Sequence, residues 1–185
     1  GGDSDHAFID LVATPNGTFH AVWLDARNDG PKGLRTAALK PGAVTWEPNI
    51  TIDAETCQCC WNILKSDAQG NLYVLYRDLD PRDMAISRST DGGQTWSKPS
   101  TAGKFNWSFQ GCPHVGGALA IDEANNRLHA LVWTGEVNSA GLYHMHANLN
   151  QMIWSEPSRI GSPMARYADL AIDASGKLFI AWIDV

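Results

Sequence analysis

The sequence is poor in charge, and it lacks both basic runs and long apolar runs. Charged residues make up 18% of the 185 residues, the net charge is −6, and no basic run occurs, so we expect no nucleic-acid partner. No apolar stretch approaches the roughly 20 residues of a membrane helix, so we expect no membrane span. The first residues do not have the pattern of a signal peptide, which indicates that any export signal was removed or never existed.

Helical periodicity is also scarce, whereas glycine and tryptophan are abundant. The chain has 17 Gly and 8 Trp, and 44% of its residues are hydrophobic. This composition is typical of a globular domain with a sizeable core rather than of a disordered chain. Glycines between short apolar runs predict an all-β fold of short strands and tight turns.

A strand–turn–strand unit occurs four times. Its turns are centred on Gly17, Gly70, Asn126 and Gly176, which are about 50 to 56 residues apart, as in a propeller with four-stranded blades. Aromatic residues fall at matching places on the second strand of each unit: Trp23, Tyr76, Trp133 and Trp182. The repeat therefore predicts a β-propeller of four-stranded antiparallel blades.

The second half of the unit occurs three times. A third strand is followed each time by a segment from tryptophan to proline, and we predict that this segment begins the fourth strand: Trp46-Glu47-Pro48, Trp96-Ser97-Lys98-Pro99 and Trp154-Ser155-Glu156-Pro157. Residues 1–185 then form one partial propeller, about three and a half blades, with blades at approximately 7–56, 61–109, 115–162 and 167–185. Because a closed ring has roughly 4–8 blades, we expect either a segment of a longer propeller or self-association of two chains to complete one ring.

The stretch from Ser89 to Trp96 carries the clearest motif. Asp91 followed by glycine predicts a tight turn, because glycine tolerates φ > 0 and the short carboxylate accepts bonds from the N–H groups that follow it. Five positions resemble the Asp box, or bacterial neuraminidase repeat, of sialidase-type β-propellers: Ser89, Asp91, Gly93, Thr95 and Trp96. The resemblance implies a structural turn on the outer part of a blade, remote from any active site. Together with the cysteines described below, it implies an extracellular or periplasmic protein.

A four-stranded blade reverses direction at two opposite faces. The turns between strands 1 and 2 and between strands 3 and 4, including the Asp91 turn, define the turn face. The loops between strands 2 and 3 and the connections between blades define the loop face. The unusual segments all fall on the loop face: residues 25–29, 77–83 and 134–140 in loops, and residues 4–6, 57–61, 111–114 and 165–167 in connections. Since loops on a rigid scaffold commonly carry function, we expect the binding site there.

The four cysteines belong to these connections. Cys57 and Cys112 lie at the same distance before the first strands of their blades, and Cys59 matches His114 and His6 in the same way. Disulfides are the favoured interpretation, because an even number of cysteines in an exported domain commonly pairs. The alternatives are free buried thiols or a zinc or copper site, since thiolate and imidazole bind both metals. The candidate metal ligands are Cys57, Cys59, Cys60, Cys112, His114 and His6, and we predict that the four cysteines and His114 share one neighbourhood.

The resemblance to sialidases also implies a glycoside hydrolase. Such enzymes use arginines for the substrate carboxylate, a tyrosine nucleophile with a glutamate partner, and an aspartate acid–base. The loop-face candidates for these roles are Arg27, Arg77, Arg166, Tyr167 and Glu136. The sequence has no Arg-Ile-Pro stretch, which usually holds the first arginine of the family. Solvated charges, or salt bridges to Asp25, Asp78 and Asp83, are therefore the favoured interpretation of these arginines.

The function expected from the sequence is that of an exported Asp-box propeller module. It binds a glycan, another small molecule or a metal on its loop face, without sialidase catalysis. One alternative is a sialidase-like hydrolase that acts on glycans. The other is a purely structural or protein-interaction propeller.

Overall fold

The computed structural model of the chain describes residues 5–27 and 30–184. Of the segments predicted above, residue 4 and residues 28 and 29 of the loop face lie outside the described residues, as does residue 185 of the fourth blade. No helix in the described part of the chain is long and apolar enough to cross a membrane.

The described residues form fourteen β-strands. They are β1 (His6–Ala13), β2 (Phe19–Ala26), β3 (Lys32–Leu39), β4 (Ile50–Asp53), β5 (Ile63–Ser66), β6 (Leu72–Arg77), β7 (Met84–Ser89), β8 (Ser100–Ala102), β9 (Ala118–Asp122), β10 (Arg127–Thr134), β11 (Gly141–Asn148), β12 (Ser158–Ile160), β13 (Arg166–Ile172) and β14 (Leu178–Ile183).

The strands form four antiparallel sheets. Strands β1 to β4, β5 to β8 and β9 to β12 each pair in chain order, and β13 pairs with β14. Sequential up-and-down pairing of four strands is the arrangement of a propeller blade. The predicted all-β propeller fold, with three four-stranded blades and two strands of a fourth, is confirmed.

Three apolar clusters hold neighbouring blades together, one at each of the three interfaces. Strand β6 shows how the sequence encodes this packing. Its Leu72, Val74 and Tyr76 face the first blade, whereas Tyr73 and Leu75 face the third blade. Both faces of the strand are covered, which explains why its apolar run does not alternate with polar residues. Burial contributes about 1.5–3 kcal/mol for each large apolar side chain, so the interfaces between blades are a main source of stability.

The fourth strands begin later than predicted. Strands β4, β8 and β12 begin at Ile50, Ser100 and Ser158, after the prolines rather than at the tryptophans. Ahead of each proline, one backbone bond still reaches the third strand, as from the Ser97 N–H to the Arg88 carbonyl at 2.8 Å. The ladder does not continue through the next residues because proline has no N–H to donate.

The four matching aromatic residues lie on second strands, as predicted, but one of them is out of register. Tyr76 packs toward the preceding blade. Trp133 packs against the following blade, and Val132 takes the position that faces the preceding one. The predicted equivalence of Trp133 with Tyr76 is therefore wrong by one residue.

The cause lies in the distance from the turn that precedes β10. Trp23, Tyr76 and Trp182 lie six residues after the central residues of their turns, whereas Trp133 lies seven residues after Asn126. The residue six positions after Asn126 is Val132, which is the equivalent of Tyr76. In a strand, a one-residue shift moves a side chain to the opposite face.

The turn from Ser89 to Trp96 has the hydrogen bonding expected of it. Asp91 Oδ1 accepts from the Thr95 N–H at 2.9 Å and from the Ser89 hydroxyl at 2.8 Å. Ser89 Oγ in turn accepts from the Gly93 N–H at 2.9 Å, and the Trp96 indole donates to the Gly93 carbonyl at 3.2 Å. Gly93 has a φ of +82°, a conformation that glycine adopts without strain.

Candidate functional site

The connection from β4 into β5 lies against the end of β6, on the loop face. The Cys57 N–H donates to the Arg77 carbonyl at 3.0 Å. Just before it, Thr56 forms an isolated antiparallel bridge with Asp78. These contacts place residues 57–60 beside the loop that follows Arg77.

Three cysteine sulfurs meet in this connection and form what we call the thiol cluster: Cys57, Cys59 and Cys60. Their Sγ atoms lie within 4.8 Å of one another, with Cys57 at 3.7 Å from Cys59 and 3.5 Å from Cys60. All three residues are buried. The exposed Cys112 thiol and the backbone N–H of His114 are both near enough to Cys59 to affect its pKa. The structure therefore brings the four cysteines and His114 into one neighbourhood.

Two arginines bring positive charge to the thiol cluster. Arg82 Nη1 donates to Cys57 Sγ at 3.1 Å. Arg77 is only 1% exposed, and its guanidinium interacts with Cys60 and Cys57. Within the described ranges no carboxylate lies within 4.0 Å of the Arg77 guanidinium. A buried cation needs a compensating charge, and the sulfurs are its main source here.

The remaining N–H groups of Arg77 are used by backbone carbonyls. They donate to Val115 at 2.9 and 3.3 Å, to Trp133 at 2.9 Å and to Arg82 at 2.6 Å. The side chain thus joins the second blade to the connection ahead of the third blade and to the end of β10. This use of the guanidinium leaves it poorly placed to receive a substrate carboxylate.

Hydrogen bonding and burial separate the pKa values of the three thiols. The hydrogen bonds from Cys60 and Cys59 lower the pKa of Cys57 to about 5, and the charge of Arg82 acts in the same direction. Burial raises the pKa of Cys59 to about 12. Hydrogen bonding to Cys57, together with burial, raises the pKa of Cys60. These directions favour Cys57 as the thiolate, with Cys59 and Cys60 as the thiols that donate hydrogen bonds to it.

The sulfur positions can be compared with those in a disulfide and in a metal site. A disulfide has an S–S bond of about 2.05 Å, and the four cysteines are free thiols in this structure. Tetrahedral zinc–sulfur bonds of about 2.3 Å place sulfurs about 3.8 Å apart. The separations of 3.5 and 3.7 Å are close to that value. Disulfide formation stays a prediction for an oxidised sample.

The two histidines predicted as ligands make other contacts. His114 Nδ1 lies 2.8 Å from the Cys112 carbonyl oxygen, with which it hydrogen-bonds. His6 Nδ1 lies 3.4 Å from the Asp25 carboxylate in the first blade. The thiols are therefore the better placed of the predicted ligands.

A cleft of about 330 Å³ lies beside the thiol cluster, and we call it the aromatic cleft. Trp107 and Phe109 stack with ring centres 5.1 Å apart and an interplanar angle of 9°, and Trp107 meets Trp133 edge-on at 5.3 Å. The Arg77 guanidinium lies over the rings of Trp107 and Trp133, so the buried arginine links the cleft to the thiols. Further lining residues include Pro113, Met164 and Arg166.

The loop between β6 and β7 holds the aromatic wall of the cleft in place. The buried Asp83 carboxylate accepts from the Asn106 N–H at 2.7 Å and from the Trp107 N–H at 3.1 Å. The Arg82 N–H donates to the Trp107 carbonyl at 2.8 Å, and the Arg82 side chain also donates to the Phe109 carbonyl. Arg82 therefore contacts both the aromatic wall and the thiol cluster.

The residues predicted for hydrolase roles differ in their surroundings. Arg27 donates to both oxygens of Asp25 at 3.1 and 2.9 Å, as the salt-bridge interpretation expects. Arg166 lines the aromatic cleft, and its guanidinium carbon lies 6.0 Å from the ring centre of Tyr167. Glu136 follows the lining residue Gly135 in the loop between β10 and β11. Arg166 is thus at the cleft and Tyr167 and Glu136 neighbour its lining, and their catalytic roles stay predictions.

Sequence reasoning missed the aromatic cleft and the role of Arg82. The alternation Phe105-x-Trp107-x-Phe109 in the connection between β8 and β9 was a usable signal for an aromatic surface. No comparable signal exists for Arg82. Its side-chain bonds reach Cys57 and Phe109, which lie 25 and 27 residues away in opposite directions along the chain.

No family model and no curated protein matches the chain. Solved structures do match. One is a protein of unknown function from Dyadobacter fermentans, with 16% identity and a TM-score of 0.71 over 98% of this chain and 63% of that chain. Another is the NanB sialidase from Streptococcus pneumoniae, with 12% identity and a TM-score of 0.61 over 93% of this chain and 26% of that chain.

A third match is a polysaccharide lyase of family PL25, an ulvan lyase bound to a GlcA(1-4)Rha3S saccharide. It has 14% identity and a TM-score of 0.57 over 91% of this chain and 49% of that chain. The chain spans less than two thirds of the length of each of these proteins. At such identities the likeness shows a shared fold.

Proposed function

We propose that the chain is part of an exported Asp-box β-propeller that binds an acidic glycan in the aromatic cleft. The observation that carries this proposal is the joint lining of the cleft by Trp107, Phe109, Trp133 and Arg166. Phe109 is exposed and stacks on the buried Trp107, and an exposed flat aromatic face packs against the C–H face of a sugar ring. A guanidinium pairs with a carboxylate or sulfate through two parallel hydrogen bonds.

The size and the structural neighbours support the same ligand class. A volume of about 330 Å³ lies at the lower end of the range for small-molecule sites and suits one or two sugar rings. Structures that share the fold include a sialidase and an ulvan lyase bound to GlcA(1-4)Rha3S. Because a fold does not determine a function, these neighbours narrow the choice of ligands to test.

The test is a titration with sugars of matched size. We would titrate the protein with 3′-sialyllactose and with a glucuronate-containing disaccharide, and use lactose as the neutral probe, with tryptophan fluorescence and calorimetry as readouts. Phe109→Ala is expected to weaken every sugar that binds. Arg166→Gln is expected to weaken only the acidic sugars, by about 10-fold or more, since a hydrogen bond to a charged group contributes about 1.5–3 kcal/mol.

Arg127→Gln is the matched control, because Arg127 is exposed at the turn-face end of β10. It should change no affinity. Equal weakening of lactose and sialyllactose by Arg166→Gln would contradict the acidic-sugar assignment. Absence of binding by all three sugars would contradict the proposed function itself.

A sialidase-like hydrolase is the second candidate, because Tyr167 and Glu136 directly follow the cleft-lining residues Arg166 and Gly135. In this alternative Tyr167 is the nucleophile, Glu136 its partner and Arg166 the carboxylate ligand. The test is release of 4-methylumbelliferone from its sialoside. Turnover that Tyr167→Phe abolishes would establish the hydrolase. Binding of sialyllactose without turnover would favour the binding module.

Self-association to complete a ring is a further part of the proposal. Apolar side chains are exposed on the first and last described strands: Ile9 and Leu11 on β1, Phe179 and Ile183 on β14. These side chains would pack against further blades, which either the same polypeptide or a second copy of the chain supplies. Light scattering on the purified chain separates a monomer from a dimer.

A further inference from the structure

We propose that Cys57, Cys59, Cys60 and Cys112 bind one thiophilic metal ion, Zn(II) or Cu(I). The ion ties the connection between the second and third blades to the connection that leads into the second blade. None of the four cysteines lines the aromatic cleft. The site is therefore separate from the proposed glycan site, and its role is to hold the loop face together.

The sulfur geometry is the first argument. Cys57 is central, with sulfurs at 3.5 and 3.7 Å, and all three sulfurs lie within 4.8 Å of one another. An ion with bonds of about 2.3 Å to each sulfur needs edges of about 3.8 Å in a tetrahedron, so small movements of the side chains suffice. The short chain segment Cys57–Cys60 imposes this proximity, because one turn supplies all three groups.

Charge is the second argument. Four thiolates around Zn(II), or three around Cu(I), each leave a net charge of about −2. The guanidiniums of Arg77 and Arg82 supply two positive charges at this place: Arg82 bonds to the Cys57 sulfur at 3.1 Å, and the buried Arg77 interacts with Cys60 and Cys57. The surroundings therefore neutralise a metal–thiolate centre. Such outer-shell partners typically change metal affinity by about 10–100-fold when they are removed.

Cys112 decides between the two ions. It is near Cys59 but lies outside the group of three sulfurs that are within 4.8 Å of one another, and it is exposed, whereas the other three cysteines are buried. Zinc in structural sites takes four ligands, so Zn(II) needs Cys112 as the fourth. Cu(I) is a soft ion that thiolates select, and the three buried sulfurs suffice for it. A Cys112→Ser variant that keeps Cu(I) but loses Zn(II) is the expected pattern.

The experiment uses the purified chain, reduced under anaerobic conditions. One sample receives zinc chloride and a second receives Cu(I) with bicinchoninate as a competing chelator. After removal of unbound metal, elemental analysis is expected to give one ion per chain. X-ray absorption is expected to show sulfur ligands, at about 2.3 Å for Zn(II). Bound metal should also protect the thiols of the native protein from Ellman's reagent.

Substitutions distinguish the cysteines that bind the metal from the residues around them. Cys57→Ser should lose both ions, and Arg82→Gln should weaken both by about 10–100-fold. His129→Gln changes a group of histidines on the third blade and is the control for metal binding by imidazoles. This variant should still bind one ion per chain. Phe109→Ala should also retain it, which separates this proposal from the glycan cleft. Circular dichroism confirms that each variant is folded.

Three results would overturn the proposal. One is the absence of stoichiometric metal in the reduced wild-type chain. Another is full retention of both ions by a folded Cys57→Ser variant. The last is resistance of the native cysteines to reduction, with two or fewer free thiols in the denatured protein, because that result assigns the sulfurs to disulfides. The thiol count of the wild type decides the question even where a cysteine variant fails to fold.

Discussion

The two ends of the second blade are built in opposite ways. At the turn face, the Asp91 carboxylate accepts bonds from Ser89 and Thr95, partners two and four residues away. At the loop face, Arg77 reaches carbonyls 38 and 56 residues away. One end is closed by contacts within a single turn. The other depends on three separate segments that must meet.

The carboxylates Asp91 and Asp83 make the comparison sharper. Each accepts hydrogen bonds from two successive backbone N–H groups: Asp91 from Gln94 and Thr95, Asp83 from Asn106 and Trp107. Asp91 is exposed, whereas Asp83 is 2% exposed. The two carboxylates make the same kind of hydrogen bonds, but only Asp83 is buried and joins segments that are distant along the chain. We therefore expect changes at the loop face to have the larger effects.

The largest effect is expected from Arg77→Met. The change keeps much of the side-chain volume but leaves the Val115 and Trp133 carbonyls without their donor and leaves the thiol cluster without its buried cation. Removing one partner of a buried charged group costs about 3–5 kcal/mol. Urea unfolding should show a loss in the free energy of unfolding of at least about 3 kcal/mol.

Arg127→Met is the control, because Arg127 is exposed at the start of β10. Its expected change is within about 0.5 kcal/mol. A loss below about 1 kcal/mol for Arg77→Met would mean that the loop face is held together by apolar contacts and not by this guanidinium.

The next largest effect is expected from Asp83→Asn. An amide keeps the shape but has one acceptor oxygen, so it cannot serve the N–H groups of both Asn106 and Trp107, and its own NH₂ opposes one of them. A loss of about 2–3 kcal/mol is expected. Tryptophan fluorescence should also shift, because Trp107 forms the wall of the aromatic cleft. Asp91→Asn is the matched variant and should leave the fluorescence of the cleft unchanged.

The same contrast explains what the sequence predicts and what it does not. The propeller, the strand order and the Asp91 turn follow from short-range patterns, since each rests on a repeat or on residues within one turn. The nearness of Cys112 to the connection that holds Cys57 and Cys59 was also predictable, because a repeat superposes equivalent positions of adjacent blades. The positions of Arg77 and Arg82 were not, since their partners are backbone carbonyls and sulfurs in other segments.

The register of Trp133 and the fourth strands show the limits of pattern alignment. Trp133 lies seven residues after its turn residue Asn126, whereas Tyr76 lies six residues after Gly70, and this extra residue puts Trp133 on the other face of its blade. Prolines delayed the fourth strands to Ile50, Ser100 and Ser158. The aromatic cleft depends on that register, because Trp133 would not line it from the other face. Periodicity alone does not determine such details, since they depend on turn geometry and on missing N–H donors.

Acid sensitivity distinguishes the His129–His144 pair on two neighbouring strands, in which His129 is buried and His144 half-buried, from the exposed Asp91 turn. His129 Nδ1 lies 2.9 Å from His144 Nε2, with Asp122 at 3.9 Å and the His146 ring at 5.9 Å. Burial and the neighbouring imidazoles lower the pKa of His129 from 6.5 to about 4. Between these values the unfolded state binds more protons than the folded state, so the free energy of unfolding falls as the pH falls from 6.5 to about 4.

His129→Gln should flatten this part of the pH profile, by on the order of 2 kcal/mol between pH 6.5 and 4. Urea unfolding at several pH values measures it. Asp91 acts in a different window, because hydrogen bonds from Thr95 lower its pKa from 3.8 to about 2. Its contribution is present above pH 3.8 and is lost only between there and about pH 2. A profile for His129→Gln that parallels the wild type from pH 6.5 to 4 would contradict this assignment.

The smallest effect is expected from Asp91→Ala. The change removes a side chain that accepts from Ser89, Gln94 and Thr95, but the turn is exposed, so water replaces part of what is lost. Loss of a side chain-to-backbone bond costs on the order of 1–2 kcal/mol, and urea unfolding should show a decrease of that size. Because the turn lies on the face opposite the loops, sugar affinity and metal content should equal those of the wild type at full folded population. A folded Asp91→Ala variant that has lost either one would mean that the two ends of the blade are coupled, and the independence argued here would be wrong.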